Sequence, residues 1–328
     1  MQKILYVLCL SFFINFSAIA CYDKNLSDKQ NFDNCKAVAD QGNSTAQYNL
    51  GTMYDKGDGI HQNFQEAIKW FKKSAEQGFY LAQFNLGNMY ANGYSMPKNY
   101  EEAFKWYKKS AEQGYSLAQS NLGTMYAKGQ GTTQNFQEAI KWLSKSAEQG
   151  DSLAQSNLGV IYNEGFGIAK NLQKAIKWYK KAAEQGNSLA QIKLGNIYYE
   201  GKGIAKDYKE AIRWYEISAK QGYFKAQSNL GTMYAKGQGT TQNFQEAIKW
   251  IKKAAEQGYP KAQFNLGGMY YNAQGTTQNK VLAHMWMNLS ALSGDKNHIQ
   301  GRDFLSQIIT SSEIEESQRL EKKWIEEH

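Results

Sequence analysis

Ser293 and Lys296, spaced S-x-x-K, have the types and spacing of a serine nucleophile with a lysine base beside it. Acyl-transfer enzymes built on such a pair also carry S-D-N and K-T-G motifs, and neither occurs here. The four histidines, His61, His284, His298 and His328, form no H-E-x-x-H and have no carboxylate cluster at ligand spacing, so no metal site is expected. A phosphate-cradling G-x-x-x-x-G-K is absent. Gly-x-Gly loops are frequent, but they lie between helical stretches with no strand before them. A dinucleotide reading therefore fails, and no cofactor is expected. What remains is binding chemistry, carried by asparagines and aromatic side chains that recur at a fixed spacing.

A repeated pair of helices must position those residues. Gln-Gly stands at Gly42, Gly78, Gly114, Gly150, Gly186, Gly222 and Gly258, one every 36 residues, and a Ser-Gly follows at Gly294. A fixed period in this range marks a stacked repeat array. In each unit a shorter helix, A, is predicted over Ser44 to Lys56, with Ala46, Leu50, Met53 and Tyr54 forming an apolar stripe at helical period. Gly51 inside it costs about 1 kcal/mol relative to alanine. Its return at Gly87, Gly123, Gly159, Gly195, Gly231 and Gly267 predicts close approach of a neighbouring helix. A longer helix, B, begins near Asn63, with Asn63 and Glu66 as a capping pair and Ala67, Ile68, Phe71 and Ala75 as its buried stripe. That pair fails at Asn171, followed by Lys174, and at Asn279, followed by Leu282. The A–B loops carry glycine, except that Ala273 stands where the register expects one. Ala118–Trp142 and Ala226–Trp250 are identical, which points to internal duplication.

Comparing the copies separates scaffold from candidate surface. On helix A the positions of Ala46, Gln47, Leu50, Gly51 and Tyr54 are nearly constant, whereas those of Tyr48, Thr52 and Asp55 vary and share one face. The first of these reads Tyr48, Phe84, Ser120, Ser156, Ile192, Ser228 and Phe264, and the third includes Tyr199 and Tyr271. Large apolar side chains with no evident core to fill are expected to anchor a partner. The near-constant asparagine (Asn49, Asn85, Asn121, Asn157, Asn229 and Asn265, with Lys193 in its place once) implies either an inter-repeat hydrogen-bond ladder or a clamp on a peptide backbone.

The ends differ from the repeats. Residues 1–20 carry one lysine, a short apolar run and small residues at Ala18 and Ala20, the pattern of a secretory signal cleaved after Ala20. The chain is then expected in the periplasm or outside the cell, with no transmembrane segment. Cys21 and Cys35 are expected to form a disulfide, as an even pair in an exported chain does. The competing reading is a lipid anchor at Cys21, disfavoured because Ala18-Ile19-Ala20 lacks the usual leucine. Residues 21–42 read as an N-terminal capping half-repeat, 43–294 as seven repeats and 295–328 as two capping helices, the second opened by Ser312 and Glu315. The net charge is +8, but the lysines fall at fixed places on the repeated helix, which reads as a solvated face and not as a nucleic-acid surface.

The motif A-x-x-x-L-G-x-x-Y, then G-x-G, then A-x-x-W-x-x-x-A is met by Ala46, Leu50, Gly51, Tyr54, Gly57, Gly59, Ala67, Trp70 and Ala75. In this the chain resembles the Sel-one-like repeat family, relatives of tetratricopeptide repeats. The resemblance implies an all-α, right-handed α-solenoid of antiparallel helix pairs with the A helices on its concave face. It also implies a non-enzymatic adaptor for a protein or peptide partner, in envelope function or host contact. Some secreted relatives rich in repeat cysteines are penicillin-binding or β-lactamase-like, which keeps an envelope hydrolase as the alternative. No full repeat here holds a cysteine pair. A scaffold for glycan or cell-wall polymer, bound through the aromatics, is a further alternative.

Overall fold

We describe residues 21–94 and 96–328 of a computed structural model. The expected leader lies outside the described residues. These form seventeen helices and no strand. Two compact units divide at Gln149 and Gly150. The first holds α1 (Asp28–Asp40), α2 (Ser44–Lys56), α3 (Phe64–Glu76), α4 (Tyr80–Asn92), α5 (Tyr100–Glu112), α6 (Ser116–Lys128) and α7 (Phe136–Glu148). The second holds α8 (Ser152–Glu164), α9 (Leu172–Glu184), α10 (Ser188–Glu200), α11 (Tyr208–Lys220), α12 (Phe224–Lys236), α13 (Phe244–Glu256), α14 (Pro260–Tyr271), α15 (Lys280–Ala291), α16 (Lys296–Ile308) and α17 (Ser311–Glu327). Each unit is a stack of helix pairs, and the fold class is an all-α repeat solenoid.

Local sequence sets the helix ends. The Asn63 side chain accepts from the amides of Gln65 and Glu66, satisfying donors that the first turn leaves free. Asn171 and Asn279 do the same for Lys174 and Leu282, so the asparagine suffices where the glutamate is missing. The A helices close on a left-handed glycine, such as Gly57 at φ +83°. Ala273 keeps that conformation without being glycine, at φ +53°. It is the one non-glycine with positive φ among the described residues, at a cost of about 1–2 kcal/mol.

Each core is a three-helix wedge. Ala67, Phe71 and Ala75 of α3, Ala82, Leu86 and Met89 of α4, and Trp106 of α5 bury one another, so the tryptophan of a B helix closes the preceding core. The cluster of Tyr107, Leu122 and Trp142 repeats this arrangement, as does that of Tyr215, Leu230 and Trp250. The helix-A glycines have the packing reason expected of them. A Cβ on Gly87 would stand 2.7 Å from the Tyr107 ring, and one on Gly195 would stand 2.5 Å from Tyr215. Only a bare backbone lets the B-helix ring cross there.

A regular inter-repeat ladder exists in the core, and buried glutamines make it. Buried Gln83 donates to the Ala75 carbonyl at 3.1 Å and accepts from Gln113 at 2.8 Å. Gln47, Gln119 and Gln227 hold the same two bonds. One rung is broken. Gln221 accepts instead from Ser188, and the buried Gln191 carbonyl oxygen has no partner.

The two ends are capped by different chemistry. A Cys21–Cys35 disulfide, with both residues fully buried, ties the N-terminal segment to α1, as expected. At the other end α16 and α17 pack on α15. The second capping helix opens two residues before the expected box: the pair is Thr310 with Glu313 and not Ser312 with Glu315. His284 of α15, 2% exposed, places Nδ1 2.8 Å from Ser317 Oγ and Nε2 2.8 Å from Ser306 Oγ. Because Ser306 Oγ donates to the Arg302 carbonyl, it accepts from Nε2–H, so Ser317 donates to Nδ1. Burial, reinforced by the Arg302 charge, holds the imidazole below the ordinary histidine value, in its neutral form.

Candidate functional site

The crossing glycines bring the B-helix residue at the register of Phe71 up between successive A helices. Where that residue is tyrosine, its hydroxyl comes out on the A-helix face and needs a partner. Tyr107 donates to Asn88 Oδ1 at 2.6 Å, and Tyr215 donates to Asn196 Oδ1 at 2.6 Å. The asparagine of the next A helix completes the set, with Asn229 Nδ2 3.4 Å from Asn196 Oδ1. Burial pushes the Tyr107 hydroxyl up to about 12, against a smaller opposite pull from its bond with Asn121, and pushes Tyr215 further up. Both therefore stay neutral donors.

Open grooves lie above these pairs. In the first unit a hollow of about 250 Å³ is lined by Asn88, Ala91, Tyr100, Tyr107, Asn121 and Thr124 among others, and none of its lining residues is charged. In the second unit a hollow of about 450 Å³ over Tyr215 is lined by Asn196, Tyr199, Asn229, Thr232, Lys236 and Lys261. Its neighbour, about 470 Å³, is lined by Lys193, Lys170, Asn163 and Glu164. The two adjoin along α10, where both are lined by Asn196 and Glu200, and together they are the second-unit trough.

Only part of the expected strip faces these grooves. Tyr199 lines the trough, its hydroxyl 3.1 Å from Gln238, and Asn121 lines the first-unit groove. The aromatic anchors at the first position are corrected. Tyr48 packs on Phe71 and Phe79, and Phe84 on Tyr107 and Tyr115, at centroid distances of 5.0–5.8 Å. Ile192 is 5% exposed in the core, and Phe264 stacks on His298. Helical side chains lean toward the N-terminus of their helix, so these rings reach the turn that starts the next A helix and fill that junction. Tyr271 is likewise engaged, edge-on to Phe304 of the cap. Asn49 donates to Cys21 Sγ at 3.4 Å, within the N-terminal cap, and Asn85 is half-buried on α4.

The residues missed by sequence reasoning are the tyrosine–asparagine pairs, and a signal for them exists. Nineteen residues before Tyr107 and Tyr215 stand Asn88 and Asn196, whereas Thr52, Thr124 and Thr232 precede the apolar Phe71, Leu143 and Ile251. Those threonines bond back to their own helix, to the carbonyls of Tyr48, Ser120 and Ser228. Tyr179 breaks the rule: Val160 precedes it, Lys193 follows where asparagine is expected, and its buried hydroxyl has no partner.

The catalytic candidates do not converge. Ser293 Oγ donates to the Ser290 carbonyl at 2.7 Å, in the turn after α15, while Lys296 is exposed on α16. Among the described residues no three histidine, cysteine, aspartate or glutamate side chains come together as a metal site, and no helix is long and apolar enough to cross a membrane.

Stacked helix pairs with ligand-sized grooves on the A-helix face define a repeat scaffold. The Sel1 repeat matches seven successive stretches, residues 44–79, 81–115, 116–151, 152–187, 188–223, 224–259 and 260–295, and the chain belongs to the Sel1 repeat family. A solved Sel1 repeat protein from Oxalobacter formigenes is 30% identical, covering 88% of this chain and 84% of its own, with a TM-score of 0.70. A protective antigen present in uropathogenic Escherichia coli strains, with an SLR fold, is 33% identical over 92% of this chain and 72% of its own, with a TM-score of 0.59. A Sel1-like repeat-containing protein of Acanthamoeba polyphaga mimivirus is 52% identical over 42 residues, 13% of this chain, and the match spans 7% of that protein's length. Sel1-repeat proteins are generally protein-interaction scaffolds.

Proposed function

We propose that this chain is an exported, non-enzymatic scaffold that holds an extended peptide segment of a partner protein along its A-helix grooves. The observation that carries the reading is the tyrosine–asparagine floor, which recurs under an open groove in each unit. Amide side chains such as Asn121 and Asn229 offer both a donor and an acceptor to a peptide backbone, and a preformed groove limits the ordering cost of binding. Export is supported by the leader-like N-terminus and by the Cys21–Cys35 disulfide, which persists in oxidising compartments and occupies the sulfur that a lipid anchor would use. The uropathogen antigen is consistent with a site of action facing the host.

Selection of short random peptides on the purified mature chain tests the groove. Selected peptides should bind roughly fivefold more weakly to Asn121→Ala or Asn229→Ala, the effect of one lost hydrogen bond of about 1 kcal/mol. Peptides that bind both variants as well as wild type would overturn the reading. Cell fractionation tests export: retention of the full chain in the cytoplasm would defeat it.

A further inference from the structure

We propose that the second-unit trough takes an acidic peptide segment and that Lys193 is the side chain that selects it; this rests on the groove reading above. Lys193 stands where Asn49, Asn85, Asn121, Asn157, Asn229 and Asn265 stand in the other repeats. Half-buried on α10, it lines the trough beside Asn196. Among the described residues no carboxylate lies within ion-pair distance of its ammonium, although fourteen lysines and arginines elsewhere are paired helix neighbours or near neighbours of a carboxylate.

The tyrosine–asparagine register departs at the same repeat. Tyr179 occupies the register of Tyr107 and Tyr215, yet Val160 and Lys193 replace its two asparagines and its fully buried hydroxyl has no partner. The tyrosine–asparagine pairing seen under the other grooves is missing in this register, which carries Lys193 in place of the asparagine.

The remaining charges of the trough point the same way. Lys170, Lys236 and Lys261 also line it without a carboxylate partner. Of the two glutamates, Glu200 is bound to Lys202 at 2.9 Å and Glu164 accepts from Asn163 at 2.8 Å. A carboxylate-bearing segment entering the trough supplies acceptors to cations that have none. The uncharged first-unit groove offers no such preference.

Fluorescein-labelled hexaglutamate and hexaglutamine, titrated against the mature chain by fluorescence anisotropy, test the proposal. Hexaglutamate is expected to bind at least tenfold more tightly, with affinity falling as salt is added. Lys193→Asn, which installs the residue the other repeats carry, should weaken hexaglutamate roughly tenfold at unchanged thermal stability, as loss of one charge-assisted hydrogen bond does. Lys177→Asn, which removes the same charge from the exposed face of α9, should leave binding unchanged. Equal weakening by both variants, or none by Lys193→Asn, overturns the proposal. Equal binding of the two peptides overturns the acidic preference while leaving the groove reading intact. If neither peptide binds, the acidic preference falls, and the random-peptide selection decides the groove reading separately.

Discussion

The first-unit groove, between α4 and α6, is walled by amides, hydroxyls and methyl groups, whereas the second-unit trough along α10, α12 and α14 carries four unpaired lysines. Both rest on a tyrosine that crosses a glycine and meets an asparagine at 2.6 Å. The floor is fixed because a buried hydroxyl must be satisfied, while the wall is free to vary because water accepts any polar residue there. The ends contrast in the same way: a disulfide ties the cap of the first unit, and a buried histidine held by two serines ties that of the second.

The largest effect should come from the N-terminal cap. Cys35→Ser opens a loop whose ends are 14 residues apart and should cost about 3 kcal/mol. Hydrogen exchange should show that loss in α1 and α2, with the amides of the second unit unmoved. A loss spread evenly over both units would break the contrast between the ends.

The hydroxyls of the floor sharpen the comparison between grooves. Tyr107→Phe and Tyr215→Phe each remove a 2.6 Å hydrogen bond and should destabilise by about 1 kcal/mol. Tyr179→Phe removes a buried hydroxyl that has no partner, so it should be neutral or stabilise by about 1 kcal/mol. Denaturant unfolding of the three variants measures both signs, and a loss at Tyr179 equal to the others would show that its hydroxyl is satisfied after all.

The smallest effect concerns pH. His284 has a folded-state pKa below the ordinary 6.5, so the unfolded chain takes up the proton first as pH falls. The stability contributed by the neutral imidazole is present above about pH 6.5 and is lost progressively below it. Protection of α16 and α17 should therefore fall as pH drops below about 6.5, and His284→Gln should flatten that slope. The disulfide-tied end should show no such slope of its own, and an equal one in α1 would erase the distinction.

Much of the fold was legible in the residues. The period of Gly42, Gly78 and their successors, the asparagine caps and the apolar stripes are local signals, and each produced its helix within about a residue. Gly51 and its counterparts announced a crossing because a helix-interior glycine has a cost that only close packing offsets. The glutamine ladder is not legible because glutamine and asparagine are both nearly constant, and only side-chain reach decides that Gln83 spans to the preceding repeat. The box at Thr310 was missed by two residues because Thr310 and Ser312 are both sound caps, each with a glutamate three residues on.

The sequence by itself determined the repeat, its helices and the two unlike ends, because those follow from period, propensity and cysteine position along one chain. Tertiary structure alone decided which varying positions face water. Tyr48 and Phe84 vary and look like a surface, yet neighbouring hairpins meet over them, whereas Asn88 and Asn196 line open space. Lys193 is legible as an exception in its register, but that its charge stands without a carboxylate partner in an open hollow depends on side chains from neighbouring helices.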